Sequence, residues 1–186
     1  MLTAEYVKSV KERINAAAEA GDIEALIEAL KEEEWKLRQE ACFALGKMGG
    51  AAVEPLIAVV QDAEAGDYAR GHAILALEAL GDARAVEPLL SAAEDEAWLV
   101  RGYAAKTLRS FQDDRAEAAL IQVYERDDNE KCTVRNAAVE SLAALGCVGS
   151  LEFLRGVVEN DPDRGVKASA RRAVAALEAA ETANGE

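Results

Sequence analysis

The side chains that could act as nucleophiles, bases or metal ligands are few in this sequence and far apart. It has one histidine, His72, and three cysteines, Cys42, Cys132 and Cys147, none of them in a Cys-x-x-Cys pair. His72 and Tyr103 could share acid–base work, but so sparse a pair is more typical of contact residues. The sequence holds no Gly-rich phosphate loop and no Ser/His/Asp or Cys/His set. We therefore predict no catalytic residue, no metal site and no cofactor.

Cysteine usage and the first twenty residues predict a cytoplasmic protein with free thiols. An odd number of unpaired cysteines is typical of a reducing compartment. Residues 1–20 carry Lys8, Lys11 and Arg13 without a continuous apolar stretch, so no signal peptide is expected. No stretch reaches the roughly eighteen apolar residues that a transmembrane helix needs, so no membrane partner is expected either.

Composition and charge exclude several classes of protein. The chain has 186 residues, of which 51% are hydrophobic but only 5% aromatic, and its formal net charge is -14. Abundant Ala, Leu and Glu favour helices over strands, which argues against a β-sandwich. So acidic a chain offers no broad cationic face to a phosphate backbone, so we predict no nucleic-acid partner.

A basic residue recurs along the chain at steps of 32, 31, 34 and 32 residues. The five copies are Arg38, Arg70, Arg101, Arg135 and Lys167. Each follows a small or apolar residue, and each is followed by alanine at +3, by Leu or Val at +7 and by an apolar residue at +10. These offsets trace one stripe of an α-helix. Three copies have glycine at +11 (Gly49, Gly81 and Gly146), which suits the left-handed residue that ends a helix.

A second apolar-periodic segment precedes each of these helices, so the repeating unit is helix, turn, helix, turn. Pro55 and Pro88 fall near the start of this first helix, where a missing N–H costs little. Asp22, Asp82 and Asp114 stand just ahead of it and are predicted to cap it. Repeat lengths differ because the middle loop varies, with small insertions at 63–66 and 127–130.

The run Ala-Val-Glu-Pro-Leu-Leu, followed by Glu-Asp-Glu-Ala-Trp-Leu-Val-Arg-Gly-Tyr-Ala-Ala-Lys-Thr-Leu, spans residues 85–108. It resembles a HEAT repeat, most of all the phycobilisome-lyase HEAT-like variety, and the resemblance covers about residues 22–180. It implies an all-α fold, a right-handed α-solenoid of about five helix pairs in a single domain, 1–186. The expected parts are a capping helix at 3–20, repeats at about 22–49, 51–81, 83–112, 114–146 and 148–180, and a frayed tail at 181–186.

The basic residues of the repeat invite a phosphate-binding interpretation, but a structural one is favoured. In repeats of this resemblance, such an arginine usually pairs with acidic residues at the end of the first helix. The acidic candidates are Glu32, Glu33, Asp62, Glu94, Asp95, Asp127, Asp128 and Asp161. Trp35 and Trp98 share offset -3 and are expected to cover the turn between the two helices.

The second helices of HEAT-like arrays line the concave face, so their solvent-facing positions are the candidate binding surface. Offsets +1, +2, +5 and +9 point away from the core stripe. The candidate partner-binding residues are Gln39, Glu40, Phe43, Gly71, His72, Leu75, Gly102, Tyr103, Lys106 and Asn136. Phe43, Leu75 and Tyr103 stand where a soluble helix would carry Glu or Lys, which predicts a groove with an aromatic centre. If the register is off by one, these residues pack against the next repeat instead.

Two functions from different classes follow. The first is a scaffold that binds a protein or peptide partner on the concave face. The second, implied by the resemblance, is a subunit of a bilin or tetrapyrrole chromophore lyase, which acts on light-harvesting proteins together with a partner subunit. HEAT-like di-iron hydroxylases need repeated His-Glu pairs and HEAT-like DNA glycosylases need a basic groove, and this sequence has neither. Self-association of the array is a third possibility.

Overall fold

The computed structural model describes residues 3–126 and 132–184, and within these ranges the regular structure is entirely helical. The eleven α-helices are α1 (Ala4–Ala20), α2 (Ile23–Ala29), α3 (Trp35–Leu45), α4 (Val53–Gln61), α5 (Asp67–Leu80), α6 (Val86–Ala92), α7 (Trp98–Leu108), α8 (Ala116–Arg126), α9 (Cys132–Leu145), α10 (Leu151–Asn160) and α11 (Arg164–Asn184). The all-α prediction is confirmed. None of these helices is long and apolar enough to cross a bilayer.

After α1 the helices follow one another as five pairs, in the order predicted from the repeat. The chain divides into two compact units, residues 1–92 and 93–186, and the boundary falls between α6 and α7. In the first unit α3 packs on α5, while α4 packs on both α2 and α6. In the second unit α9 packs on both α7 and α11. Second helices thus stack on second helices in both units, and first helices stack on first helices in the first unit, as in an α-solenoid.

The amino-terminal capping helix was predicted at 3–20 and α1 matches it closely. The Thr3 side chain accepts a hydrogen bond from the Tyr6 amide at its start, and Gly21 ends it with a φ of 70°. Val10 and Ile14 are almost fully buried. α1 therefore packs its apolar face on the first pair, α2 and α3.

The predicted core stripe is buried throughout most of the chain. Every residue at offsets -1 and +3 is buried, and so is every residue at +7 except Val174. At +10 the burial is weaker, because Met48, Leu80 and Leu145 are only half-buried. The glycines at +11 have φ values of 67°, 63° and 73°, which confirms the predicted left-handed conformation.

Capping of the first helices agrees with the sequence at two of the three predicted aspartates. Asp22 accepts a hydrogen bond from the Ala25 amide at 3.0 Å, and Asp82 accepts one from the Arg84 amide at 3.0 Å. The prediction for Asp114 is wrong, because the neighbouring Asp113 accepts from the amide two residues on. An aspartate two residues before the amide closes a tight turn, and Asp113 stands 31 residues after Asp82 at that same place in the repeat.

Two of the repeated arginines bind backbone carbonyls instead of the carboxylates predicted for them. Nη1 of Arg38 donates to the carbonyl oxygens of Glu32 and Glu33, at 2.5 and 2.7 Å. Nη1 of Arg101 donates to the corresponding carbonyls of residues 95 and 96, at 2.9 and 2.8 Å. The turn after a first helix leaves its carbonyls without helical partners, and a buried guanidinium satisfies two of them at once.

The other three basic residues of the repeat also have structural partners. Arg70 reaches the Asp67 carboxylate at 3.3 Å, and Lys167 donates to the Glu159 carbonyl at 2.9 Å. Arg135 pairs with Asp161, which follows α10 of the next pair. Two further predicted partners, Asp127 and Asp128, lie outside the described residues.

Candidate functional site

Three of the predicted contact residues line a groove in the first unit, between α1 and α3. This α1–α3 groove has a volume of about 770 Å³. Its residues are Lys11, Ile14, Asn15 and Ala18 from α1, Gln39, Glu40, Phe43 and Ala44 from α3, and Lys47 and Met48 just beyond. Its wall residues on α3 recur every four positions, so they form rows along the helix axis.

Phe43 is the most exposed large apolar side chain of the described chain, with 66% of its surface accessible. The ammonium nitrogen of Lys47 lies 3.8 Å from the centroid of its ring. A cation over an aromatic face is attracted by the ring quadrupole, so the lysine stem covers part of the ring. Within the described ranges Lys47 makes no ion pair with a carboxylate.

The second cation of the groove is already neutralised. Nζ of Lys11 lies 2.5 Å from Oε1 of Glu40, which joins α1 to α3 across the groove wall. The other carboxylate oxygen, Oε2 of Glu40, is buried and has no hydrogen-bond partner in the described structure. The groove thus combines an apolar floor, one paired cation and one cation without a counter-ion.

Three predicted contact residues lie on α5, and two of them are buried where solvent exposure was expected. Gly71 is buried, His72 is 8% exposed, and Leu75 is half-buried. That expectation is wrong because α5 is enclosed by α3 on one side and α4 on another. The alternative left open from the sequence, packing against a neighbouring repeat, describes Gly71 and His72.

The buried environment of His72 sets its charge. Burial lowers the pKa of the imidazole, the carbonyl hydrogen bond raises it less, and the nearby Arg38 charge lowers it further. Nδ1 lies 2.7 Å from the carbonyl oxygen of Tyr68. Because a carbonyl only accepts, Nδ1 carries the proton and donates. A neutral, enclosed imidazole at pH 7 suits a structural role.

The second unit holds a smaller cleft between α7 and α9, of about 200 Å³. This α7–α9 cleft is lined by Trp98, Leu99, Gly102, Tyr103, Lys106, Thr133, Val134 and Ala137, so it contains three of the predicted residues. A Cβ added at Gly102 would lie 3.5 Å from a methyl of Val134, which is ordinary contact distance. The tenth predicted residue, Asn136, does not line the cleft and donates to Glu140 along its own helix at 2.9 Å.

Burial makes two of the three cysteines, Cys42 and Cys147, poor nucleophiles. Burial raises the pKa of Cys42 to about 11, with a contribution from Glu78, and raises that of Cys147 to about 11. A thiol with so high a pKa is protonated at neutral pH, and the protonated form does not attack carbonyls or bind metals well. Among the described residues no cluster of His, Cys, Asp and Glu could hold a metal ion.

Sequence reasoning missed half of the α1–α3 groove. It treated α1 as a cap only, although Ile14 and Ala18 are spaced four apart on the helix. It also missed Lys47, which stands at the solvent-facing offset +9 but was not named as a contact residue, and Tyr68, which is 57% exposed and whose ring lies 4.6 Å from the Arg38 guanidinium carbon. Listing, for each aromatic residue, the nearest basic residue without an acidic partner would have paired Phe43 with Lys47.

Comparison with known proteins shows to which family this architecture belongs. A family model for HEAT repeats matches residues 23–101 and 86–175. The chain belongs to the HEAT repeat family. This confirms the family predicted from the repeat pattern, and it accounts for the stacked helix pairs of both units.

Characterised relatives point more narrowly to one group of HEAT proteins. The chain is 34% identical over 142 residues to the phycocyanobilin lyase subunit alpha of Picosynechococcus sp. strain PCC 7002, covering 66% of this chain and 52% of that one. It is 30% identical over 168 residues to the corresponding subunit of Nostoc sp. strain PCC 7120, covering 81% of this chain and 60% of that one. The chain thus spans between half and three fifths of the length of these relatives.

A solved structure agrees with these similarities. The complex of CpcE and CpcF of phycocyanin lyase from Nostoc sp. PCC7120 contains a chain that superposes with a TM-score of 0.66 at 30% identity. The match covers 83% of this chain and 64% of that chain. These findings favour the chromophore-lyase hypothesis over a general scaffold.

Proposed function

We propose that this protein is a HEAT-repeat subunit of a two-protein assembly of the phycocyanobilin lyase kind, in which it binds the other protein subunit. The observation that carries the proposal is its 34% identity with a lyase alpha subunit over 142 residues. The structural neighbour is itself one half of a two-protein complex, CpcE with CpcF. In this proposal the assembly handles an open-chain tetrapyrrole, and this chain contributes binding surface.

The chemistry of the described residues supports a binding role. The two thiols with pKa values near 11 stay protonated at neutral pH, and the single histidine is buried and neutral. In contrast, the α1–α3 groove exposes Phe43 and an unpaired lysine, which is the type of surface that carries protein contacts.

The test is reconstitution from purified parts. The chain is mixed with CpcF, phycocyanobilin and apo-phycocyanin, and complex formation is followed by size-exclusion chromatography while absorption spectra follow the pigment. We expect a complex with CpcF and a pigment spectrum that changes only when both proteins are present. The proposal is wrong if no complex forms and the spectrum of phycocyanobilin does not respond.

A second candidate is a scaffold that binds a protein partner without any pigment. It is favoured by one observation, the exposed Phe43 beside Lys47 in the α1–α3 groove, a surface that suits a protein contact without any pigment. The same experiment separates the two, because a scaffold would bind a protein while leaving the phycocyanobilin spectrum unchanged in every mixture.

A further inference from the structure

The α1–α3 groove has the dimensions of a seat for a helix. Its α1 side runs from Lys11 to Ala18, seven residue steps, which is about 10 Å or two turns at 1.5 Å per residue, and its α3 side continues past the end of the helix to Met48. Ala18 on α1 and Ala44 on α3 both line the groove. Their small side chains let the backbone of a bound helix approach closely. A helix of about two turns fits this length, in the helix-in-groove manner of peptide recognition.

The apolar content of the groove requires an apolar ridge on the occupant. Ile14 and Met48 line it, and Phe43 stands two-thirds exposed at its edge. Ile14 is already buried, so apolar side chains spaced i, i+3 or i+4 and i+7 on a partner helix would cover Phe43 and Met48. A large exposed aromatic on a rigid helix is also the residue type that most often dominates binding energy.

The charges of the groove select the polar part of the occupant. Lys11 is neutralised by Glu40 at 2.5 Å, whereas Lys47 has only the Phe43 ring as its partner within the described chain. A carboxylate brought beside Lys47 would form an ion pair and keep the ammonium over the ring. A lysine or arginine brought there would meet a like charge instead.

From this geometry and charge, we propose that the α1–α3 groove binds an amphipathic helix of a protein partner, whose apolar ridge covers Phe43 and whose Asp or Glu pairs with Lys47. The proposal rests on the proposed function in one respect, that the protein binds another protein. It goes further by naming the surface and the chemistry of the segment. It is notable that the predicted segment is acidic although the chain itself carries a net charge of -14.

The first experiment selects ligands without assuming a partner. A phage-displayed library of random 16-residue peptides is panned on the purified full chain, with counter-selection on Phe43→Glu. We expect enriched peptides with apolar residues at i, i+3 or i+4 and i+7 and with an Asp or Glu on the flank of that ridge. Enrichment of neutral or basic peptides, or of none that depends on Phe43, overturns the proposal.

The second experiment measures the contacts on the best selected peptide by fluorescence anisotropy. We expect Phe43→Ala and Lys47→Glu each to weaken binding about tenfold or more, as for residues at the centre of an interface. Replacing the acidic residue of the peptide by lysine should restore binding to Lys47→Glu. The matched control is Lys8→Glu, a charge reversal on α1 at a lysine with 78% of its side chain exposed and outside the groove. Equal effects of Lys8→Glu and Lys47→Glu would contradict the proposed ion pair.

Two further measurements detect other occupants. Sedimentation equilibrium of the chain and of Phe43→Glu shows whether a second copy fills the groove, since self-association lost in the variant would contradict a partner helix. Titration of phycocyanobilin into the chain alone tests a small molecule. A spectral change that needs Phe43, with no Phe43-dependent peptide, also overturns the docking proposal. Complex formation with CpcF is measured separately, so the groove can fail while the proposed function stands.

Discussion

The guanidinium of Arg135 and the carboxylate of Asp161 form an ion pair in which both side chains are withdrawn from solvent. Nε of Arg135 lies 2.8 Å from Oδ2 of Asp161, and their side chains are 2% and 0% exposed. Tyr124 donates to the same oxygen at 2.7 Å, and the Asp163 amide donates to the other at 2.7 Å. The pair joins α9 to the end of α10 and thereby ties together two successive repeats of the second unit.

Removing one partner of this pair should destabilise the protein strongly. Arg135→Met leaves a buried carboxylate with only neutral donors, and losses of about 3–5 kcal/mol are typical when a buried pair is broken in this way. Asp161→Asn should also destabilise, because it removes the carboxylate that faces the buried guanidinium. The double variant should lose less stability than the sum of the losses of the two single variants. Urea unfolding of all four proteins in a double-mutant cycle measures this difference. Additive losses would mean that the two groups are not coupled.

The same pair makes a prediction for acid stability. Burial alone would raise the pKa of Asp161, but the hydrogen bonds from Arg135, Tyr124 and the Asp163 amide lower it below its usual value. A depressed pKa contributes stability that is complete above the unfolded pKa of about 3.9 and is lost as pH falls through the folded pKa. Unfolding free energies of the native chain should therefore fall more steeply below about pH 4 than those of Asp161→Asn.

His72 should govern the pH dependence at higher pH. Its folded pKa is lowered by burial and by the Arg38 charge, so between the folded value and about 6.5 the unfolded chain binds more protons. Stability should therefore rise with pH up to about 7 and then level off. Since His72 is the only histidine, His72→Gln should remove this rise, which urea midpoints across the interval would measure. An unchanged slope in the variant would contradict the buried neutral imidazole.

Substitutions of Arg101 test how much the arginine–carbonyl contacts contribute to the stability of the protein. Arg101→Gln removes two hydrogen bonds from a charged donor and leaves the carbonyls of Asp95 and Glu96 unsatisfied, so we expect a loss of about 2–3 kcal/mol. The loss of stability for Arg101→Lys should lie between zero and the loss for Arg101→Gln, because an ammonium keeps the charge but lacks the planar fork of a guanidinium. Lys106→Gln, on the exposed side of the same helix, is the control and should stay within about 0.5 kcal/mol. Equal losses at Arg101 and Lys106 would show that the carbonyl contacts stabilise nothing.

The repeat spacing was sufficient to predict the helix pairs, because each pair must bury the same stripe and Ala41 or Ala104 must admit a neighbour closely. It could not show which acceptor an arginine finds, since Arg38 and Arg101 bind carbonyls whose availability depends on where the turn bends. Helical offsets describe one helix alone. They therefore failed for His72, which a second neighbouring helix encloses.

Two glycines on second helices offer a matched pair for the last prediction. Gly46 ends α3 with an ordinary φ of -61°, but a Cβ placed there would lie 2.8 Å from the Cβ of Ala79 on α5. Gly46→Ala should therefore push α3 away from α5 and cost about 1–3 kcal/mol. Gly102 lies inside α7, and its added Cβ would meet Val134 at 3.5 Å, so Gly102→Ala should stabilise by about 0.5–1 kcal/mol through helix propensity. Urea unfolding of the two variants side by side measures the contrast. If both alanines stabilise the protein, α3 and α5 tolerate more separation than the close approach of Gly46 to Ala79 implies.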